Sequence, residues 1–508
     1  MLLSDVVVVS QQVASTRSRL AKRDAIAELL RRGDPADLEI VVPYLSGELR
    51  QRKTGLGWAA LQSLPEPADT PSLTLVEVDA AFARSAALAG VGSAAGRAAA
   101  VAALFGRATA SEQRFLRGLI SGDVRQGALD AAMLDAIAAA SGVSLGSIRR
   151  AAMLRGSTAP VALAALTVGA AAVAEFGLVV GQPVRPMLAS SAPSVGAAFD
   201  KIGAAEVSLD VKLDGIRIQV HRHGAGVRVF TRSLEEITDR LPEVVAVARA
   251  FAASEVILDG EALSLDETGR PRAFQETAAR TARHLAGVTD PSGPTVTPFF
   301  FDCLHVDGVD LLDLPLSERL THLDVIVPST FLVPRLVTSD SDAGQRFFDE
   351  AVASGQEGVV VKSLTAPYDA GRRGAAWVKV KPRQTLDLVV LAVEWGSGRR
   401  RGTLSNIHLG ARDPANGGFV MLGKTFKGMT DEILAWQTER FLALETSRTA
   451  YVVEVRPVQV VEIAFDGLQR STRYPAGVAL RFARVLRYRD DKTADEADTI
   501  DTVRELTT

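Results

Sequence analysis

Three hydrophobic rhythms follow one another along the chain. Over residues 1–183 apolar positions recur at helical spacing in Ala- and Leu-rich runs. Short breaks separate them at 32–36 (RGDPA), 141–147 (SGVSLGS) and 155–160 (RGSTAP). This spacing predicts an almost wholly helical region. Two prolines in "GQPVRPMLA" (181–189) end it and predict a linker. Between 184 and 383 period-2 runs dominate, at 206–222, 226–231, 256–264, 297–306, 357–363 and 377–381. Helices are expected between them, near 240–252, 272–287 and 342–354. Residues 384–508 again read as short strands (LDLVVLAVEW, LSNIHLGAR, GFVMLGKTF, VVEIAFD) with one helix near 430–444. An acidic, polar tail from Thr493 is expected to be poorly ordered. The pattern predicts a multidomain α+β protein: an all-α domain at 1–183, an α+β domain at 184–383, and at 384–508 a small Greek-key barrel of the oligonucleotide-binding type. No internal repeat is visible.

Within the second rhythm, "LDVKLDGIRIQV" (209–220) alternates strictly. Leu209, Val211, Leu213, Ile216, Ile218 and Val220 are apolar; Asp210, Lys212, Arg217 and Gln219 are polar. Alternation on both sides of Asp214-Gly215 predicts a β-hairpin with a two-residue turn. That register sets Lys212 opposite Arg217, and like charges in a cross-strand pair are destabilising. An anion between them would resolve the conflict. Related segments follow: "VILDGEAL" (256–263), "PFFFDCLHVDG" (298–308), "EGVVVK" (357–362) and "WVKVKP" (377–382), the last placing Lys379 and Lys381 on one strand face. Each alone reads as ordinary turn or strand. Together they gather lysines for phosphates, carboxylates Glu261 and Glu357 for a divalent metal, and an aromatic near Phe301 for a base.

Composition narrows the partners. Of 508 residues 47% are hydrophobic, and the net charge is −3. No bulk charge points to nucleic acid, so any DNA contact must come from local clusters such as 399–401 or the arginines of 481–489. The single cysteine, Cys303, excludes an internal disulfide and a multi-cysteine zinc site. The N-terminus lacks a basic region ahead of its apolar run, a poor match to a signal peptide. The apolar stretch 157–181 contains Glu175 and reads as interior helix, not a membrane span. A soluble, cytoplasmic monomer is expected, nucleoid-associated when on DNA. Six histidines form no cluster, and His284 and His305 read as structural.

Lys212-Leu213-Asp214-Gly215-Ile216-Arg217 resembles the K-x-D-G-x-R signature of the covalent nucleotidyltransferases: DNA ligases, RNA ligases and mRNA capping enzymes. FTRSLEE (230–236), DGE (259–261), FD (301–302), EGVVVK, WVKVK and Arg489-Asp490-Asp491-Lys492 fall in that family's order. "GDVRQGALDAAMLDAIA" (122–138) resembles the ligase DNA-binding domain, and "PVRPMLA" (183–189) the junction into the catalytic core. The chain is most similar to ATP-dependent DNA ligases of the actinobacterial ligase B type. The resemblance implies sealing of 3′-OH/5′-phosphate nicks in duplex DNA, through a lysyl-AMP and then a DNA-adenylate, in replication, repair and recombination. An NAD-dependent ligase would need a four-cysteine zinc finger. RNA ligases and capping enzymes do not normally carry such a helical domain, and an inactive nick-binding protein would not need the intact motifs.

The same resemblance assigns roles. Lys212 attacks the α-phosphate of ATP; a neighbouring cation or partial desolvation favours the neutral amine it needs. Arg217 holds the ribose or phosphate side, and Glu261 and Glu357 hold Mg²⁺ (Mn²⁺ as an alternative), although Glu261 can instead hold the ribose. Arg373, Lys379 and Lys381 belong to the ATP site, the two lysines gripping the α-phosphate. Phe301 stacks on the base, with Phe299 and Phe300 as competitors, and Arg232 meets the 5′-phosphate of the nick. Arg489 and Lys492 orient the β- and γ-phosphates when the last domain closes. Asp210 stands where many members use glutamate to read the adenine amino group. Ala483 stands where proline is common.

Overall fold

The computed structural model describes the chain except residues 52–53, 125–128, 268, 273–275, 279–294, 370–372, 383 and 507–508; for 58, 59, 129, 373 and 399 it describes the backbone alone. The expected helix at 272–287, with His284, therefore lies largely outside the described residues, as do the side chain of Arg373 and part of 122–138. The chain divides into two compact units. One comprises 1–190, 202–339 and 362–378; the other comprises 191–201, 340–361 and 379–508.

The first unit opens with helices, among them Leu3–Ser15, Arg19–Arg32, Pro35–Leu45, Leu75–Ala87, Ala110–Ser121 and Leu145–Arg155. Their apolar stripes, including Leu3, Ile26, Leu30, Phe82, Phe105 and Ile148, close into one core. Thr74 with Glu77 and Thr109 with Glu112 form capping boxes, which satisfy first-turn N–H groups. The apolar stretch at 157–181 is cut into Ala159–Thr167 and Ala170–Ala174, with Val161, Ala162 and Val173 in the core. Among the described residues no helix is long and apolar enough to cross a membrane.

Two five-stranded sheets follow. One runs in the order Leu188–Ser191, Arg373–Val380, Val359–Ser363, Val207–Val211, Arg335–Thr338; the other runs Gly226–Thr231, Ile216–His223, Glu255–Ser264, Val296–Val306, Val309–Asp310. The expected hairpin at 209–220 does not form. Val207–Val211 pairs antiparallel with Arg335–Thr338, whereas Ile216–His223 belongs to the second sheet, with Arg217 opposite Glu261. Residues 212–215 carry the chain from one sheet to the other, so Lys212 never faces Arg217 and the like-charge conflict does not arise. Gly215 makes the passage possible. A Cβ there would meet the Ala262 carbonyl at 2.5 Å and Glu261 Cγ at 2.9 Å. Helices Pro242–Arg249 and Leu316–Ile326 cover the second sheet and bury Ile218, Val220, Leu258, Phe300, Leu320 and Leu323.

In the second unit, Gln384–Trp395 is the hub of a seven-stranded sheet, pairing antiparallel with Leu404–Arg412, Val452–Val455 and Val460–Phe465. Helix Asp431–Ala443, capped by Thr430, packs Leu434 and Phe441 into its core. The tail departs from expectation. Helix Ile500–Glu505, capped by Thr499, buries Ile500 and Val503 in the same core. Those two residues stand three apart, on one helical face, and the acidic residues around them hid that pair.

Candidate active site

In the first unit, Lys212 leaves the end of Val207–Val211 half-buried. Its neighbour Leu213 packs with Leu263, Val333 and the part-buried Phe299 and Phe301. Phe300 points the other way, fully buried against Phe251 with ring centroids 5.6 Å apart, so it takes no part in this surface. The register explains the split. Asp259 pairs with Asp302 and Gly260 with Phe300, which leaves Phe301 as the extra residue of a β-bulge. Bulges re-aim side chains. Phe301 turns toward Trp377, whose ring centre lies 5.9 Å away.

Behind these rings lies a buried ion pair. Asp210 bonds Lys362, and both are nearly inaccessible. The ammonium of Lys362 stands 4.5 Å from the Phe301 ring centre and 4.4 Å from that of Trp377, and it donates to the Phe301 carbonyl at 3.4 Å. The hydroxyl of Ser208 donates to the other Asp210 oxygen at 2.9 Å. The aspartate that the sequence places at a base-reading position thus holds a lysine against the aromatic pair.

Arg217 is equally committed. Its Nε and Nη2 donate to Asp259 at 3.0 and 2.7 Å, and its Nη1 donates to the Met187 carbonyl at 2.7 Å. Tyr368 completes the knot, donating to Asp259 at 2.7 Å and accepting from the Met187 N–H at 3.0 Å. Burial pulls the Arg217 pKa down, but Asp259 and then Tyr368 override it, and the net shift is upward. Burial, then Asp259, pushes the Tyr368 phenol well above its usual value. Sequence reasoning counted Lys362 among the lysines of a nucleotide site but missed its ion pair with Asp210, and it missed Asp259, Tyr368 and Trp377 as members of this constellation. The signal for Asp259 was its place two residues before Glu261, on the same strand face.

The rest of this polar strand face grips the segment that enters the domain. Gln219 accepts from the Val184 N–H at 2.8 Å and donates to the Val184 carbonyl at 3.3 Å, as a strand neighbour would. His221 Nδ1 accepts from the Gly181 N–H at 3.0 Å, which leaves Nε2 to donate to Gln219 at 2.8 Å. Burial, aided by Arg228, pushes the His221 pKa down to about 3. Glu261 lies on this face opposite Arg217, and Arg232 is exposed in the turn after Gly226–Thr231.

The second unit carries the other expected groups. Glu357 precedes strand Val359–Ser363, at a close passage where a Cβ on Gly358, whose φ is +123°, would meet the Val380 carbonyl at 2.3 Å. Lys381 donates to Glu357 at 2.9 Å and to Asp466 at 3.0 Å. Burial draws the Lys381 pKa down, but Glu357 and Asp466 carry it above its ordinary value, so this lysine keeps its proton. Lys379 is half-buried one residue before Val380. Arg489 and Lys492 both bond Asp387, at 3.0 and 2.6 Å.

A lysine set beside an aromatic, carboxylate-lined surface at the meeting of two sheets is the equipment of a nucleotidyl-transfer protein. Comparison with known proteins makes this specific. Residues 186–381 match the ATP dependent DNA ligase domain, and 400–492 match the ATP dependent DNA ligase C terminal region. A "Probable DNA ligase" of Beutenbergia cavernae is 66% identical, covering 100% of this chain and 99% of its own. One from a Nocardioides species is 65% identical over 99% and 98%. The solved structure named Pmar-Lig_PreS3 shares the fold at a TM-score of 0.62 and 19% identity, covering 95% of this chain and 99% of its own. The chain belongs to the ATP-dependent DNA ligases, and it is an enzyme that uses ATP.

Proposed function

We propose that this ligase seals 3′-OH/5′-phosphate nicks in duplex DNA with Lys212 as the nucleophile. The amine of Lys212 attacks the α-phosphorus of ATP. A P–N bond forms, the P–O bond to the β-phosphate breaks, and pyrophosphate leaves. The AMP then passes to the 5′-phosphate of the nick, and attack by the 3′-OH expels it. The observation that carries this reading is Lys212 at the exit of Val207–Val211, beside the Leu213–Phe299–Phe301 surface, in a chain 66% identical to a curated ligase.

Phe301, bulged toward Trp377, is suited to stack on the base, and Glu261 to hold the ribose or a metal. Lys381, with its proton firmly held, suits an α-phosphate better than a role as base, and Lys379 and Arg373 join it in the ATP site. Mg²⁺ takes one or two protein carboxylates and completes its shell with phosphate oxygens and water, so Glu261 and Glu357 are each donors of the kind it needs. When bound, such a cation offsets the charge of the phosphates and the leaving pyrophosphate. Asp210 acts by fixing Lys362 and, through it, the aromatic pair.

The domain reading is a helical DNA-binding domain at 1–183, a nucleotidyltransferase domain at 184–383 and a barrel of the oligonucleotide-binding type at 384–508. For DNA, the last region offers Phe426 and Phe482, both more than half exposed. Arg400 lies beside Phe426, and Lys427 and Arg481 lie beside Phe482. Cations over aromatic faces suit a phosphate backbone and its sugars. The test is joining of three substrates: a nicked DNA duplex, a nicked all-RNA duplex, and 5′-diphosphate RNA with GTP. Sealing is expected for the first alone. Comparable joining of the RNA nick would favour an RNA ligase, and GTP transfer a capping enzyme.

A further inference from the structure

The terminal motif of the second unit is held by a residue to which no role has yet been given. Asp387 lies near the start of strand Gln384–Trp395, where its strand neighbour across the sheet is Glu462. Two carboxylates in a cross-strand pair repel. The offsetting charge comes from one short segment: Arg487 donates to Glu462 at 2.7 Å, Arg489 Nη1 to Asp387 at 3.0 Å, and Lys492 to Asp387 at 2.6 Å. The Asp387 main chain joins in. Its N–H donates to the Asp498 carboxylate at 2.7 Å, and its carbonyl accepts the Asp498 N–H at 2.8 Å. Arg489 is fixed from the other side by Asp491, which accepts from Nε and Nη2 at 2.8 and 2.7 Å. Both side chains of the Asp387–Arg489 pair are largely buried, at 13% and 14% exposure. That shelter separates it from an ordinary surface ion pair.

We infer that Asp387 is a positioning residue for the first chemical step: its carboxylate holds Arg489 and Lys492 together, so that the motif meets the β- and γ-phosphates as one preformed unit. This rests on the reading of those two cations as phosphate-orienting. Two long side chains that were free would each lose rotamer freedom on meeting the nucleotide, and a shared carboxylate removes part of that cost beforehand. The inference separates the steps of the reaction. Once AMP is on the DNA, no β- or γ-phosphate remains, so joining at that stage has no need of the arrangement.

The experiment compares the full chain with Asp387→Asn, Asp387→Glu and Lys492→Ala in two assays. One measures lysine adenylylation by ATP as a function of ATP concentration. The other measures joining of a nicked duplex that already carries AMP on its 5′-phosphate. Asp387→Asn should raise the KM for ATP or slow adenylylation by about ten- to a hundredfold, the scale of a lost charge-assisted contact. Joining of the pre-adenylylated nick should stay within about twofold, well inside that scale. Asp387→Glu, which keeps the charge, should recover most of the first step, and it serves as the test if Asp387→Asn does not fold. Equal losses in both assays for either variant would make Asp387 merely structural and overturn the inference. A normal first step in Asp387→Asn beside a damaged one in Lys492→Ala would also overturn it. Normal first steps in both would instead remove the reading of the terminal motif itself.

Discussion

The polar face of strand Ile216–His223 and the terminal segment 487–492 look alike in sequence, since each offers cations at alternating or near-alternating positions. They are tied down in different ways. Gln219 and His221 are buried and spend their hydrogen bonds on Val184 and Gly181, while Arg217, 16% exposed, donates to Met187 and to Asp259, itself 1% exposed. Arg489 and Lys492 share Asp387, 13% exposed, and Arg489 also meets Asp491, which is 61% exposed. Buried charge left without its partner is costly, whereas exposed pairs exchange readily with water and ions. The strand face fixes the entering segment at 181–187. In the terminal segment the exposed Asp491 is readily displaced, while the sheltered Asp387 keeps hold of Arg489 and Lys492.

The sharpest way to break this contrast is Arg217→Ala. It strands Asp259, 1% exposed, without its main partner, and should lower stability by about 3–5 kcal/mol in urea denaturation. A loss near zero would mean that water already reaches the pair. Tyr368→Phe removes the hydroxyl shared by Asp259 and the Met187 N–H. Two buried groups lose a partner, so about 1–3 kcal/mol should go in the same assay. An unchanged midpoint would take Tyr368 out of the knot.

His221 gives a pH signature of the same architecture. Its folded pKa is depressed to about 3, below the ordinary value near ~6.5. Between those values the unfolded chain binds a proton that the folded chain refuses. Stability is thus fully present above the ordinary value and falls as pH drops through the window, by at most about 1.4 kcal/mol per pH unit for one proton. His221→Gln should flatten that slope between roughly pH 6 and 4. An identical slope in both proteins would place the titration elsewhere. At the bottom of the scale stands Asp491→Asn. It should leave the denaturation midpoint where it was, because its carboxylate is exposed and Arg489 keeps Asp387. A clear drop would put the terminal segment in the same class as the strand face.

How much of this was legible depends on which interactions are local. Period-2 alternation located strands Ile216–His223, Glu255–Ser264 and Val296–Val306 within a residue or two, because burial of one strand face writes itself into neighbouring positions. The same alternation misled at Asp214-Gly215. It records which residues are buried, not which sheet each strand joins, and the close approach of Gly215 to Ala262 comes from a segment nearly fifty positions away. The chemistry-bearing residues could be found by motif, but their partners could not. Tyr368 meets Asp259 across 109 positions and Met187 across 181. The tail was misjudged because Ile500 and Val503 supply only two apolar contacts in a polar stretch.

The central claim is that Lys212 carries the AMP. The direct measurement is transfer of label from ATP marked on its α-phosphate to the protein in the presence of Mg²⁺, for the native chain and for Lys212→Ala. The native chain should take up label whose bond resists base and breaks in acid, as a P–N bond does, and peptide mapping should place it on Lys212. Lys212→Ala should take up none while keeping its folded spectrum. Label of the same kind on a folded Lys212→Ala protein would move the nucleophile to another residue and contradict the account.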